Sequence, residues 1–564
     1  MNTSVPVHIR HRSRDAHAES RLIEAGLHPL VARLLAARGL SEPPLRRASQ
    51  LLAPDGLRGI DRAATRLADA IVAREPMLVV GDYDCDGATA CAVAVRGLRA
   101  LGARVDYLVP NRFKSGYGLT PAIVELAVER APRVIVTVDN GIASIEGVAT
   151  ANALGIDVVV TDHHLPGGAL PAACAIVNPN QPGCTFRSKA VAGVGVVFYV
   201  LIAVRAELRK RGLFTAETQP RLDGLLDLVA LGTVADLVKL DANNRLFVQL
   251  GLERIRGQQA QPGVLALARV AGRDPRALGV ADLGFALGPR LNAAGRLADM
   301  TIGIECLLAD DPARAYELAL VLDRMNAERR ELQHDMLGVA MEHVARVDVG
   351  ASTSIVLHDP AFHAGVTGLV AGRLKDLHHR PTIVFATSSD GRLTGSGRSI
   401  PGFHMRDAID LVTKRAPGLI ERFGGHAMAA GLTIPADALA PFTAAFEAVA
   451  QALLGGKPGA RELVVDGPIE SAYVSPAVVR LLDAEVWGQG FEPPLFHDTW
   501  RVLSQRVIKD RHLKLVLERD GQRLEGIAFG RVDALPQRAD LAFRITTYEY
   551  NGLTSAQLVV EHAA

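Results

Sequence analysis

Asp82-Tyr83-Asp84-Cys85-Asp86-Gly87 sets carboxylates at positions i, i+2 and i+4 of one short stretch. An Asx-rich turn with solvated charges would account for the hexapeptide alone. The pattern recurs, however. Asp139-Asn140-Gly141 follows one apolar run, and Asp162-His163-His164 follows another. Carboxylates and imidazoles gathered at one point need cations to offset their mutual repulsion. Oxygen ligands with one or two imidazoles and no thiolate set favour Mn²⁺ or Mg²⁺ over structural zinc. Two such ions bridged by a shared carboxylate suit phosphoryl transfer.

The elements around these residues read as a parallel α/β sheet. Val/Ile-rich runs predict strands over Met77–Val80, Arg104–Val109, Val134–Val138 and Asp157–Val160. Helical periodicity predicts helices over Asp61–Glu75, Ala88–Ala100, Pro121–Arg130 and Ser144–Leu154. Continuous apolar strands alternating with helices fit a sheet covered on both faces. Ligands bind such sheets at the carboxyl ends of the strands, where all three acidic loops fall.

Composition bounds the rest. A chain of 564 residues with 49% hydrophobic and 22% charged content is of ordinary globular type and long enough for several domains. The balance of 62 basic and 61 acidic residues neither announces nor excludes a nucleic-acid binder. The cysteines, Cys85, Cys91, Cys174, Cys184 and Cys306, are odd in number and lack CxxC spacing. That points to a reducing cytoplasm. The N-terminus, rich in His and Arg, is not a signal peptide. Val191–Val204 is apolar but spans only 14 residues, short of the ~20 needed to cross a bilayer. It reads as a buried core helix.

Taken together, the three acidic motifs resemble the successive motifs of the DHH phosphoesterase superfamily. Asp236 in Ala230-Leu231-Gly232-Thr233-Val234-Ala235-Asp236 matches a fourth. Gly288–Arg296 (GPRLNAAGR), Gly395-Ser396-Gly397-Arg398-Ser399 and Gly424-Gly425-His426 narrow the resemblance to the single-strand-specific exonucleases of that superfamily. Cys85 departs from the family's usual alanine. The resemblance implies a two-lobed core, a parallel-sheet catalytic lobe and a smaller α/β substrate lobe joined by a long helix, followed by an OB-like β-barrel. The expected divisions are a lead-in over 1–50, a catalytic domain over 51–305, the long helix within 306–350, a DHHA1 substrate-binding domain over 351–455 and the barrel over 460–564.

The resemblance also implies roles. Asp82, Asp84 and Asp139 would hold one ion, and Asp86, Asp139, His163 and Asp236 the other. His164 would meet the scissile phosphate, and Asp162 would orient the imidazoles. Apart from the resemblance, bidentate arginine suits phosphate, so Arg112, which follows the second strand, and Arg398 with Ser396 are expected to form a 5′-phosphate pocket. Arg290, Asn292 and His426 would contact the strand. The implied activity is 5′→3′ digestion of single-stranded DNA to 5′-mononucleotides in repair and recombination. The expected partners are single-stranded DNA with a free 5′ end, a single-strand-binding protein and a helicase, with no membrane. A basic stretch from Arg501 to Arg523, with Tyr548 and Tyr550, suggests a stacking groove on the barrel. Two other readings stand beside this one. The first is a DHH phosphodiesterase of short oligonucleotides or cyclic dinucleotides. The second is a non-catalytic replication scaffold, a class that loses metal ligands.

Overall fold

The computed structural model describes residues 6–110, 118–346, 352–456 and 460–564. The chain divides into two compact units. One is Arg324–Leu463 with the N-terminal segment up to Arg10; the other is His11–Asp323 with Val464–Ala564.

In the larger unit, strands β1 (Pro76–Val80), β2 (Arg104–Leu108), β3 (Val134–Val138), β4 (Asp157–Thr161) and β5 (Ala175–Val177) form one sheet in the order β2-β1-β3-β4-β5. Every pairing is parallel. The central strands are buried on both faces, which is why they read as unbroken apolar runs. Strand order reverses between β1 and β3. The crevice beyond the carboxyl ends at such a point is where doubly wound sheets bind ligands. β5 escaped the sequence pattern because three residues are too few to show a period.

Helices α1 (Cys85–Ala100), α2 (Pro121–Val128) and α3 (Ile145–Ala153) are the crossovers. α1 begins three residues earlier than periodicity predicts. The Asp84 side chain accepts the Gly87 amide at 2.9 Å and caps the first turn. Cys85 is therefore helical and buried rather than part of the loop. α4 (Gly193–Lys210) is the apolar helix expected from Val191–Val204, and its first nine residues are all buried. No helix among the described residues is long and apolar enough to cross a membrane.

α5 (Leu226–Ala235) and α6 (Gly288–Leu297) complete the surroundings of the strand ends. α7 (Pro312–Arg346) is one 35-residue helix on which the division between the units falls.

The larger unit also contains a closed barrel of β11 (Phe496–Ile508), β12 (His512–Arg519), β13 (Gln522–Phe529), β14 (Arg538–Tyr550) and β15 (Leu553–Ala563). Its order is β11-β12-β13-β15-β14. Of its basic residues, Arg501, Lys514 and Arg519 are in ion pairs with Glu518, Glu525 and Asp498. Arg506, Lys509, Arg511 and Arg523 are exposed. The Lys514 ammonium lies 5.7 Å from the centre of the Tyr548 ring.

The smaller unit has a sheet of β6 (Ile355–His358), β7 (Thr382–Thr387), β8 (Leu393–Arg398), β9 (Arg422–Gly425) and β10 (Ala429–Ile434), in the order β9-β10-β8-β7-β6. Helix α8 (Thr367–His378) packs on β7 and β8.

A buried ion pair ties two distant segments of the larger unit. Arg38 and Asp466 meet through two hydrogen bonds of 2.9 Å, and each side chain is 2% exposed. The Arg38 guanidinium also donates to the carbonyls of Leu34 and Glu492. Removing one partner strands the other charge in a low-dielectric interior. Arg38→Ala should therefore lose about 3–5 kcal/mol, read as a lowered thermal midpoint. An unchanged midpoint would show that the pair contributes nothing.

Candidate metal centre

The β1 loop, the β3 loop, the β4 loop and the end of α5 deliver their acidic and imidazole groups to one place. His163 Nε2 lies 3.0 Å from Asp139 Oδ1, 3.5 Å from Asp236 Oδ2 and 4.0 Å from Asp86 Oδ2. Three sets of donor atoms each fall within 4.8 Å of one another: Asp82, Asp84 and Asp139; Asp86, His163 and Asp236; and Asp139, His163 and His164. Asp139 and His163 each belong to two sets. The structure thus brings together all the acidic and imidazole residues singled out from the sequence in these four segments.

Each group is held by a local device. Asp139 follows β3 in the left-handed region, φ 61°. Non-glycine residues adopt that conformation at a cost, and such strain clusters at functional sites. Its neighbour Asn140 donates to the carbonyls of Val80 and Val138 at 3.1 and 2.9 Å, tying the ends of β1 and β3 together. Asp86 projects from the first turn of α1 and accepts the Gly193 and Val194 amides at 2.7 and 3.0 Å. These are the first amides of α4, so the carboxylate meets the positive end of that helix.

Two glycines make the approach possible. A Cβ on Gly193 would lie 2.6 Å from Asp139 Oδ1, and one on Gly232 would lie 2.9 Å from Asp86 Oδ1 and 2.2 Å from Thr89 Oγ1. No larger residue fits at either place without displacing the acidic loops.

Asp162 organises the histidines. Its Oδ2 accepts the Ile142 amide at 2.9 Å. Its Oδ1 accepts the amides of His163 and His164 and lies 2.8 Å from His164 Nδ1. Asn178 and Asn180 donate to the carbonyls of His164 and His163. Neither asparagine was singled out from the sequence. The signal available was their place in Asn178-Pro179-Asn180 directly after β5.

The electrostatics follow from burial. Desolvation, reinforced by neighbouring carboxylates, pushes Asp82, Asp139 and Asp236 well above the usual carboxylate range. Burial and then Asp84 raise Asp86 to about 7, against the pull of the two α4 amides. Asp162 goes the other way. Burial alone would raise it, but the His164 hydrogen bond and the charges of both imidazoles hold it low. Burial opposes the charge on His164, yet Asp162 raises that imidazole to about 9. Burial also lifts the Cys85 thiol well above its ordinary value, so it offers no thiolate here.

The donor set fits divalent cations that prefer oxygen with some nitrogen. The buried Oδ2 of Asp236 makes no hydrogen bond among the described residues, as a ligand atom awaiting an ion would.

Two residues expected on the strand also have partners within the chain. Arg290 is buried, donating to Asp323 through Nε at 2.8 Å and to the Ala286 carbonyl through Nη1 at 2.6 Å. Asn292 Oδ1 accepts the Cys85 amide at 2.8 Å and so fastens the acidic loop from α6. Asn292 is half-buried, and Arg290 is buried. Arg112 lies outside the described residues.

In the smaller unit, strand alternation places Ser396 and Arg398 on one face of β8. Ser396 Oγ is 2.9 Å from Thr367 Oγ1 at the start of α8. Arg398 lies over the glycine face of α8, where a Cβ on Gly368 would be 2.6 Å from its Nη2. His426 is exposed in the turn between β9 and β10.

Sheet topology and acidic centre define a member of the DHH family. Its N-terminal domain model matches residues 76–233, the DHHA1 domain model 349–452 and the RecJ OB domain model 465–562. The single-stranded-DNA-specific exonuclease RecJ of Salmonella typhimurium is 45% identical over 575 residues, covering 98% of each chain. That of Escherichia coli is 45% identical over 572 residues, covering 99% of each. The RecJ of Thermus thermophilus, solved with Mn²⁺, superposes with a TM-score of 0.84 at 29% identity, covering all of this chain and 80% of that one. The same protein has also been solved with Mg²⁺. The chain belongs to the RecJ family.

The raised carboxylates make a pH-dependent prediction for chelator-treated protein. Asp86 titrates near 7 in the fold and near 3.8 in the unfolded chain. Its folded form holds the proton longer. Stability from this source is complete below about pH 4 and is lost as pH rises through about 7. Added Mn²⁺ should therefore raise the thermal midpoint more at pH 8 than at pH 5. An equal rise at both would contradict the crowded-carboxylate account.

Proposed function

We propose that this protein is a Mn²⁺- or Mg²⁺-dependent exonuclease that degrades single-stranded DNA 5′→3′ to 5′-mononucleotides, in DNA repair and recombination. The observation that carries the reading is the convergence of Asp82, Asp84, Asp86, Asp139, His163 and Asp236 in a chain of the RecJ family. Asp82, Asp84 and Asp139 hold one ion. Asp86, Asp139, His163 and Asp236 hold the other, with Asp139 shared. A non-catalytic scaffold would have no need of this complete set.

When bound, the ions supply charge neutralisation at the phosphate and acidify the attacking water. The chain's residues supply the positions. Asp162 orients the His164 ring, and with His164 raised to about 9 the imidazole is protonated at neutral pH. Its second N–H then donates to a non-bridging phosphate oxygen, and Asp162 stabilises the charge. Water adds to phosphorus, the bond to the 3′ oxygen breaks, and that oxygen takes up a proton. The first nucleotide departs, and the shortened strand keeps a 5′-phosphate.

In the smaller unit, Arg398 with Ser396 binds the 5′-phosphate, and His426 contacts the strand. Arginine suits this task because its planar fork matches phosphate oxygens. The exposed Arg506, Lys509 and Arg511 hairpin of the barrel tracks the strand's backbone. The enzyme works in the cytoplasm, with a helicase that exposes single strands and the single-strand-binding protein that coats them as partners.

End-labelled single strands, duplexes and RNA, digested with Mn²⁺, Mg²⁺ or EDTA, test the whole reading. Asp139→Ala should lower turnover by roughly 10³-fold or more, the order seen when electrostatic stabilisation is removed, while single-strand binding survives. Near-normal turnover would refute the shared-ligand assignment. Arg398→Ala should lose far more activity on 5′-phosphorylated than on 5′-hydroxyl strands. Equal losses at fixed salt would leave Arg398 a merely electrostatic attractor.

A further inference from the structure

The end of the barrel away from its basic hairpin carries a cleft that hydrolysis does not use. Its volume is about 400 Å³, and its lining includes Trp500, Arg501, Glu518, Asp520, Gln537 and Arg538. These residues come from the first half of β11, the end of β12 with the turn that follows, and the start of β14. The turn between β11 and β12 and the turn between β14 and β15 lie at the other ends of the same strands. From Arg501 to Ile508 the chain advances roughly 20 Å at ~3.3 Å per residue. The cleft is therefore separate from the Arg506, Lys509 and Arg511 hairpin.

Its charges are unevenly matched. Arg501 and Arg538 stand directly opposite each other on neighbouring strands. Like charges in that relation destabilise a sheet. Arg501 has relief, because Glu518 on its other side pairs with it at 2.8 Å. Arg538 is exposed, and its side chain has no hydrogen bond or ion pair among the described residues. The carboxylates beside it have partners already. Glu518 also accepts the Gly521 amide at 3.0 Å, and Asp520 accepts the Ser471 hydroxyl at 2.7 Å. Trp500 is 1% exposed, and its indole N–H is buried without a hydrogen bond among the described residues. A buried donor left so is costly and unusual. β11 also shifts register between Val502 and Ser504, directly after Arg501. Bulges of this kind gather beside functional sites, where they re-aim side chains.

We propose that this cleft binds a free 5′-mononucleotide, its phosphate on Arg538 and Arg501 and its base against the carboxylates. Two opposed guanidiniums, one of them without a partner, suit the dianion of a phosphate monoester, whose oxygens match their planar forks. The volume falls in the range of small-molecule sites. It far exceeds what a bare phosphate fills, since a water takes only ~30 Å³. Glu518, Asp520 and the Gln537 amide offer acceptors for the amino and ring N–H groups of a base. The same carboxylates repel the successive phosphates of an extended strand, which favours a free nucleotide over a backbone. The proposal goes beyond the hydrolase reading, because no residue of the cleft belongs to the metal centre.

The chain has two tryptophans, so Trp487→Phe leaves Trp500 as the only indole reporter. Titrating that protein with dTMP should give a saturable change in fluorescence, and thymidine, which lacks the phosphate, should give none. Arg538→Ala should weaken the dTMP response at least about tenfold, the ordinary loss for one charge-assisted hydrogen bond. Arg538→Lys should restore part of it. Arg538 is exposed, so the thermal midpoint should not fall. Adding Asp139→Ala should leave the response intact. Equilibrium dialysis of labelled dTMP makes the same comparison with both tryptophans in place, and there Arg538→Ala should lose one bound nucleotide per chain. A response that survives Arg538→Ala would overturn the proposal. So would an equal response to inorganic phosphate, which would leave a bare anion site, or a response to oligonucleotides alone, which would assign the cleft to a strand's backbone. Loss of the response with Asp139→Ala would place the nucleotide at the metal centre and overturn it as well. Absence of turnover in the wild-type chain would refute the hydrolase reading without altering any of these results.

Discussion

Repulsion between buried carboxylates is the constraint from which the rest of the larger unit follows. Asp82, Asp86 and Asp139 are each no more than 5% exposed, and Asp236 joins them from α5. In water such charges would separate, and in the fold they cannot. Burial forces a choice between holding protons and holding cations. Divalent ions settle it in favour of the ionised form. A centre of this kind is costly when empty and strongly stabilising when filled. The scaffold around it must therefore be rigid enough to hold the groups together before any ion arrives.

That rigidity has identifiable sources. Parallel strands buried on both faces fix where β1, β3 and β4 end. Asn140 ties two of those ends, and Asn292 fastens the acidic loop from a helix far along the chain. Asp86 is partly compensated without any ion, since two α4 amides point at it. That differs from Asp139, which is held in a strained backbone conformation and collects repulsion from Asp86, Asp84, Asp236 and Asp82. The residue with the least favourable surroundings is the carboxylate shared between two donor sets. Strain and repulsion at that point are consistent with a group positioned for ions rather than for stability.

Much of this was legible in the sequence because it depends on period and spacing. Val134–Val138 cannot be other than a buried strand, and an acidic residue directly after it must lie at the strand's carboxyl end. Asp236 was legible only through the motif around it, for nothing in its local pattern separates a ligand from a helix-face charge. Arg290 and Asn292 show a different limit of local pattern. Their residue types suit a phosphate, but Arg290 also pairs with Asp323 and Asn292 Oδ1 also accepts the Cys85 amide, and such partners depend on packing that no local pattern records. Gly193 and Gly232 were invisible for the same reason. Each looks like an ordinary small residue in an apolar helix until the neighbouring segment is in place.

In the proposed function, the two adjacent histidines divide one residue type between two tasks. His163 Nε2 faces Asp139, Asp236 and Asp86, all acidic and all able to share an ion with it. A metal ligand must be neutral and present a lone pair. His164 is turned instead toward Asp162, whose own carboxyl is held low and therefore stays charged. That charge favours a protonated ring, which cannot ligate but can donate. The rings are only 4.5 Å apart, so their roles are set by which carboxylate each one meets, not by distance from the centre. On that proposal, Asp162 is the residue that separates binding from donation. Replacing it with asparagine would remove the charge that keeps His164 protonated while leaving every proposed ligand in place. A change confined to turnover and its pH profile, with Mn²⁺ affinity unaltered, is what this division of labour requires.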